Sequence, residues 1–118
     1  MPNLTAFPTG ADLLNQLGGI YALEQQIGLR TVLATERGTG GDISGIAGTA
    51  NLPGVTFRFS QSDRANYCKI LQHPSGAVHL AFKDLRLPDE QQLVQTIAFV
   101  ERDRLKAVFS AAIAFPLQ

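Results

Sequence analysis

The feature that most constrains the fold is a series of three short apolar stretches joined by turn signals between Gly54 and Leu85. Their sequences are GVTFRFSQ, NYCKILQH and AVHLAFKDL. Each stretch is rich in β-branched, aromatic and aliphatic residues that alternate with polar ones, which is the pattern of a strand with one buried face. Three consecutive strands of this kind predict an antiparallel β-meander.

The turn HPSG at residues 73–76, between the second and third stretches, sets the register of their pairing. Its proline presets the φ angle of the first central turn position, and its glycine can take the left-handed conformation that closes a three-residue hairpin loop with a bulge. This geometry predicts that Leu71 lies opposite His79 and that Lys69 lies opposite Ala81.

Side chains alternate across a strand, so this register sorts the three strands onto two faces. The apolar face contains Val55, Phe57, Phe59, Cys68, Ile70, Gln72, Val78, Leu80 and Phe82. We expect Cys68 to be a small buried hydrophobic residue there rather than a nucleophile or a redox thiol. The second face is expected to be wet and mildly basic, as in an antiparallel sheet with one solvated side.

The chain has 118 residues, and its 10 Lys and Arg residues balance its 10 Asp and Glu residues to give a formal net charge of zero. This length can bury a core of its own, so we expect a single domain over residues 1–118. Zero net charge creates no global field that would recruit nucleic acid or a membrane, and we expect neither as a partner. The sequence shows no signal peptide and no apolar stretch of about 20 residues, which predicts a soluble, cytoplasmic protein.

The N-terminal part combines an extended arm with a helix. Residues 1–8 contain two prolines and no periodic pattern, which predicts the arm. An apolar stripe at helical spacing predicts a helix over residues 10–27, and Gly28 predicts its end. Because Gly18 and Gly19 lie inside this helix, a kink or a division into two short helices is an alternative.

A strand predicted at Leu29–Arg37 leads into a Gly-rich loop over residues 38–53. Its sequence GTGGDISGIAG resembles phosphate-binding loops in composition only. It lacks both the Gly-Lys-Ser/Thr sequence and the G-x-G-x-x-G spacing of such loops. We therefore expect a plain flexible loop, which can include a short strand at Ile43–Ala47, and an anion-binding loop is the alternative.

The C-terminal segment 89–115 supports two interpretations. A preceding proline, two acidic residues at its start and many Ala, Gln and Leu residues favour a helix. A single helix would be about 40 Å long, however, and would place Glu101 and Arg104 in the middle of its apolar face. Alternation from Leu105 to Phe115 favours a β-hairpin with its turn at Arg102-Asp103, which is the interpretation we adopt. The expected fold is then α+β, with an N-terminal helix packed on an antiparallel meander of about five to six strands.

One cluster on the polar sheet face offers recognisable binding chemistry. Its residues are Arg58, Tyr67, Lys69, His73, His79 and Lys83. The two histidines are diagonal neighbours across adjacent strands. These groups suit a small anionic ligand, and an ordinary solvated surface is the alternative. Two histidines without a third ligand do not make a metal site, so we expect no metal and no cofactor.

The apolar face suggests a function for the protein. Four of its residues either line a small-molecule pocket between helix and sheet or belong to a packed core: Phe57, Phe59, Leu80 and Phe82. This concentration of Phe, together with the absence of a catalytic set, favours a noncatalytic binding or interaction protein with a small apolar or anionic ligand. The alternative is a small enzyme that uses His73 or His79 as its general base, since histidine titrates near neutral pH.

The C-terminal hairpin would also favour self-association. Its second face would carry Ile97, Phe99 and Val108, so both faces of the final strands would be partly apolar. One N-terminal helix cannot cover both faces, so we expect a homodimer that buries the second face or pairs edge strands. If the segment is instead a helix that covers the sheet, both apolar sets are internal and a monomer suffices.

Overall fold

The computed structural model of the chain describes residues 10–35 and 52–117. The helices in these ranges are α1 (Gly10–Gln16), α2 (Ile20–Ile27) and α3 (Leu105–Ile113). The strands are β1 (Thr31–Thr35), β2 (Gly54–Arg58), β3 (Tyr67–Gln72), β4 (Val78–Lys83) and β5 (Leu93–Val100). Single 3-10 turns precede β5 at Asp89–Gln91 and precede α3 at Arg102–Arg104.

Two of the predicted segments lie wholly or mostly outside these described ranges. The arm at residues 1–8 lies outside the described residues, and so does the Gly-rich loop except for its last two positions. The single domain over residues 1–118 also stays a prediction.

The described strands form a five-stranded antiparallel sheet in the order β1-β2-β3-β4-β5, so each strand pairs with its neighbours in sequence. The register predicted from the HPSG turn is confirmed, because Leu71 pairs with His79 and Lys69 pairs with Ala81. Gly76 has a φ of 98°, which explains the glycine at the end of this hairpin. The predicted α+β fold with an antiparallel meander is confirmed.

The apolar face of the sheet forms the core with residues from all three helices. Helix α1 packs on β1 and β2. Phe109 of α3 lies at the centre, where its ring centroid is 5.8 Å from that of Phe57, 5.9 Å from Phe59 and 5.5 Å from Phe82. Cys68 is buried in this core as expected, and burial raises the pKa of its thiol well above the usual value. The thiol is therefore protonated and unreactive at neutral pH.

The N-terminal helical region consists of two short helices, which was the alternative to one continuous helix. The chain breaks at Gly18 and Gly19, whose φ angles are 113° and 94°. Gly28 ends α2 as predicted, with a φ of 67° and an N–H that donates to Leu23 O. The break turns the apolar stripes of both helices onto the sheet, so the buried leucines of α1 and the buried residues of α2 share one core.

The β-hairpin predicted for segment 89–115 is wrong. Its first arm corresponds to β5, but its second arm is helix α3, and a 3-10 turn replaces the hairpin turn. The buried residues of α3 are spaced by four, as in a helix: Leu105, Phe109 and Ile113. The alternation that favoured a strand came largely from alanines such as Ala107 and Ala111, which are exposed here. Alanine is the best helix former, so these positions fit a helix better than a strand.

Strand β5 contains a bulge that changes which side chains face the core. One residue of β4, His79, stands opposite two residues of β5, Ala98 and Phe99. Because of this extra residue, Ile97 before the bulge and Val100 after it both pack on the core. The prediction of strict alternation along this strand is therefore wrong. Phe99 lies on the face of the sheet opposite to the core.

The loop between β2 and β3 is tied to the end of α3. Ser62 Oγ donates a buried hydrogen bond of 2.8 Å to the carbonyl oxygen of Ile113. The same hydroxyl oxygen accepts bonds from the N–H groups of Arg64 at 3.0 Å and Ala65 at 3.4 Å. A serine thus satisfies one of the carbonyls that a helix end leaves without a partner, and it fixes the shape of the loop.

We expect Gly54→Ala to destabilise the protein by about 1–3 kcal/mol, because overpacking at a close backbone approach forces the chain apart. A Cβ at this position would collide with the carbonyl oxygen of Ile70 and would lie 2.9 Å from Leu71 Cα. Urea denaturation followed by circular dichroism measures the change. Gly76→Ala serves as a comparison that adds backbone strain without a clash, since its φ is 98° and a Cβ there meets no atom within 4 Å. Wild-type stability of Gly54→Ala would contradict the pairing of β2 with β3.

We expect Phe109→Ala to lower the free energy of unfolding by about 3–5 kcal/mol, the range for loss of a fully buried aromatic ring. Ala111→Lys, two residues further along α3, should change it by no more than about 0.5 kcal/mol because this side chain is exposed. A hairpin would place both residues on one face. Equal destabilisation by the two variants in thermal denaturation would therefore exclude the helix.

Candidate functional site

The structure divides the six predicted site residues into two groups. One group is a cross-strand row over β2, β3 and β4: Arg58, Tyr67 and Lys83. The other is the histidine pair. Along the strands, at about 3.3 Å per residue, His79 lies about 13 Å from Lys83 and His73 lies about 20 Å from Tyr67. Lys69 lies between them, opposite Ala81. The six residues share one face but do not form one site.

The centre of this face is buried, contrary to the expectation of a wet surface. Leu71 and Ala81 pack with Leu52 in a second apolar cluster. His79 beside them is only 1% exposed. The physical reason is that leucine and alanine occupy the middle positions of this face, so burying them is favourable. Exposed polar side chains are confined to the margins.

In the cross-strand row, Tyr67 makes two polar contacts. Lys83 Nζ lies 5.6 Å from the centroid of its ring, within the range of a cation–π interaction. Burial raises the pKa of Tyr67, and a hydrogen bond with Thr56 opposes that effect in part. The phenol is therefore neutral at physiological pH and available as a hydrogen-bonding group.

A cleft of about 470 Å³ lies next to this row, at the end of the sheet where β1 and β3 begin and β2 and β4 end. We call it the arginine cleft. Its lining residues are Arg30, Thr31, Arg58, Phe59, Ser60, Asn66, Leu85 and Arg86. The N–H of Arg30 donates to the carbonyl oxygen of Arg58 at 2.8 Å, which joins their backbones at the end of the pairing of β1 with β2.

The three arginines of the cleft differ in their partners. Arg86 forms a two-point ion pair with Asp84, with Nε 2.7 Å from Oδ1 and Nη2 3.1 Å from Oδ2. The hydrogen bond from this guanidinium holds the pKa of Asp84 below its usual value. Arg30 and Arg58 are exposed, and in residues 10–35 and 52–117 no carboxylate lies within ion-pair distance of either. The cleft therefore contains two positive charges without a counterion from the described chain.

Asn66 gives the cleft a fixed polar wall. Its Oδ1 accepts a hydrogen bond of 2.7 Å from the N–H of Leu85. Its backbone bonds to Lys83 O at 2.9 Å and to Phe59 N–H at 3.1 Å, which extends the sheet beyond the strands. One bond thus orients the side-chain amide and two fix the backbone of Asn66, and the NH₂ group remains as a donor for a ligand.

The histidine pair includes a third ring that the sequence did not suggest. The ring centroids of His73 and His79 are 5.4 Å apart, as expected for diagonal neighbours. Phe99 packs edge-on against both, at 4.6 Å from His79 and 5.1 Å from His73. Phe99 reaches this face only because of the bulge in β5. The sequence of the bulge contains no glycine or asparagine that would have indicated it.

Hydrogen bonds define the state of both imidazoles. His79 Nδ1 accepts the N–H of Phe99 at 3.1 Å, so the neutral ring carries its proton on Nε2. Burial lowers the pKa of His79, and the nearby charge of His73 lowers it further. His73 Nδ1 accepts the N–H of Ser75 at 3.0 Å within the hairpin turn. Each ring therefore already uses one nitrogen to bind the backbone.

The four apolar residues named as pocket or core lie in the packed core. Phe57, Phe59, Leu80 and Phe82 are fully buried between the sheet and the helices. Phe59 also contributes to the wall of the arginine cleft. The space between helix and sheet at these residues is therefore filled by side chains.

Residues 10–35 and 52–117 show neither a metal-binding cluster nor a membrane-spanning helix. They contain no group of three or more His, Cys, Asp or Glu side chains placed to hold a metal ion. None of their helices is long and apolar enough to cross a membrane.

The fold and the cleft define an α+β protein with an antiparallel meander whose apolar face is covered by helices. Comparison of the chain with protein-family models, curated proteins and solved structures finds no significant match.

Proposed function

We propose that the protein is a noncatalytic binding protein that holds a small anionic ligand in the arginine cleft. The observation that carries this proposal is that two exposed arginines, Arg30 and Arg58, line one cleft and have no carboxylate within ion-pair distance in the described residues. Guanidinium groups bind carboxylate and phosphate through paired, charge-assisted hydrogen bonds. An anion bound in the cleft would be attracted by both positive charges.

The size and lining of the cleft favour an organic anion over an inorganic ion. Its volume of about 470 Å³ falls within the usual range of ligand pockets. Phe59 and Leu85 offer apolar contact, while Thr31, Ser60 and Asn66 offer hydrogen-bonding groups. A ligand with one charged end and a small apolar body would use both kinds of wall.

This proposal moves the ligand away from the position expected from the sequence. The pocket was expected between helix and sheet, where packed side chains now lie, whereas the cleft is at the end of the sheet. Of the six predicted residues, Arg58 lines the cleft, and the row that contains Tyr67 and Lys83 borders it. An anionic ligand is retained, and a purely apolar one has less support.

An enzyme that uses His73 or His79 as general base remains the second proposal. It has less support because Nδ1 of each ring, the nitrogen that an Nε2–H imidazole would use as a base, already accepts a backbone N–H.

The hairpin face that was expected to drive dimerisation is absent, because Ile97 and Val108 pack against the core and the second arm is helix α3. We also propose that the protein is soluble and cytoplasmic and forms a homodimer, on the separate ground of the open edge of β5. This strand lies at the end of the sheet, so its outer edge pairs with no other described strand. Apolar side chains are exposed along it: Leu93 is 42% exposed and Val94 is 45% exposed. Pairing with a second copy would cover these side chains and the backbone edge together.

We expect phenyl phosphate to bind the arginine cleft, with amide shifts in two-dimensional NMR spectra that centre on Ser60, Asn66 and Leu85. Arg58→Ala should weaken binding about tenfold to a hundredfold, because it removes charge-assisted hydrogen bonds of about 1.5–3 kcal/mol. Asp84→Asn should strengthen binding, because it releases the Arg86 guanidinium from its ion pair.

Arg104→Ala is the matched control, since it removes an exposed arginine at the opposite end of β4 and should leave the Kd within about twofold. Phenyl phosphate, succinate and inorganic phosphate should be tested up to about 10 mM, which nearly saturates a site with a Kd of about 1 mM. Absence of shifts with all three probes, or equal weakening by both arginine variants, would contradict the proposal.

The homodimer predicts the mass of two chains in light scattering at micromolar concentration. Val94→Lys should convert the dimer to a monomer, because lysine on an edge strand opposes strand pairing. Ala107→Lys adds the same charge at an exposed position of α3 and should leave the dimer intact. The mass of a single chain for the wild-type protein would contradict the dimer.

A further inference from the structure

Phe99 adopts a backbone conformation that bulky residues rarely take. Its φ is 54°, in the left-handed region where a side chain costs free energy and where glycine or asparagine is usual. Its side chain is 60% exposed, so burial of the ring does not account for the conformation. The residue also forms half of the bulge opposite His79. Such strained positions persist only where surrounding contacts enforce them.

The contacts that enforce it come from two imidazole rings. The N–H of Phe99 donates to His79 Nδ1 at 3.1 Å. The phenyl ring meets His79 at an interplanar angle of 85° and His73 at 66°, both edge-to-face arrangements. The backbone bond fixes the bulge, and the ring contacts fix the side chain.

This backbone bond requires a neutral His79. Neutral imidazole can offer an unprotonated Nδ1 as an acceptor, but imidazolium carries a proton on both nitrogens. Protonation would place an N–H of His79 directly against the N–H of Phe99. The two donors would repel each other, and the contact that offsets the strained conformation would be lost.

We propose that His79 is a proton-operated switch for the bulge in β5. Neutral His79 holds Phe99 in its left-handed conformation, and proton uptake releases the Phe99 N–H and lets this end of β5 rearrange. The switch is independent of anion binding in the arginine cleft, which lies at the other end of the sheet.

Of the charged groups near His79, His73 opposes its proton uptake. His73 faces it from the hairpin, and Lys69 and Lys83 share its face of the sheet on β3 and β4. Strand β5 contributes no ionisable side chain between Leu93 and Val100. Glu101 and Arg104 follow it, and they border a cavity of about 220 Å³ together with Phe99.

The transition is therefore expected in mildly acidic solution. Burial and the charge of His73 both lower the pKa of His79 below the usual histidine value of about 6.5. Between the lowered pKa and the usual one, the unfolded or rearranged chain binds more protons than the native bulge does. The bulge is thus fully stable above about pH 6.5 and loses stability as the pH falls through the lowered pKa.

The test is an NMR titration of the wild-type protein from about pH 8 to about pH 5, a range that spans the charge change of histidine. Imidazole ¹⁵N shifts should show His79 protonated on Nε2 alone at neutral pH. The Phe99 amide should change at the same midpoint as His79. Its protection against hydrogen exchange should fall about tenfold per pH unit below that midpoint, following the fraction of neutral imidazole. Two results would overturn the proposal: a proton on His79 Nδ1 at neutral pH, or a Phe99 amide signal that does not change at the pH midpoint of His79.

Two phenylalanine variants separate the acceptor from the ring contacts. His79→Phe keeps an aromatic ring and removes the acceptor, so the Phe99 amide should be unprotected at every pH, with no transition. His73→Phe keeps the neighbouring ring and removes the charge, so the transition should persist with a midpoint at higher pH. A transition that survives His79→Phe, or that disappears in His73→Phe, would also refute the switch. If His79→Phe does not fold, the wild-type titration and His73→Phe still decide the question.

Discussion

The structure depends on the burial of one face of the sheet under aromatic and leucine side chains. Phe109 of α3 meets Phe57, Phe59 and Phe82 at the centre, and α1 and α2 complete the cover. With all three helices on one face, the other face is left to a small cluster around Leu71. The arginine cleft and the histidine pair both lie at the margins of the sheet.

The middle of the fold was predictable because two local rules agreed there. The HPSG turn fixed the register, and alternation assigned Leu71 and Lys69 to the correct partners and the correct face. No such agreement existed at the C-terminus. A series of alanines alternating with larger apolar residues satisfies both a strand and a helix, and only packing on the aromatic cluster decides between them.

The candidate site was predictable only where it lay within one hairpin. The pairing of His73 with His79 followed from the turn, and Arg58 and Tyr67 followed from alternation. Arg30 could not be placed beside Arg58, because the connection from β1 to β2 is too long for its sequence to set a register. Phe99 was missed for a different reason, since a bulge at a left-handed position is usually signalled by glycine and here carries a phenylalanine.

The bond from Ser62 to Ile113 joins parts of the chain 51 positions apart, and it has a genetic consequence. The loop that Ser62 shapes leads directly into Asn66, which forms a wall of the arginine cleft. Helix α3 thus supports the core at its buried face and the cleft at its last carbonyl. Substitutions in α3 are therefore expected to disturb the shape of the cleft from a distance, and they would differ from substitutions of the cleft arginines in lowering heat tolerance.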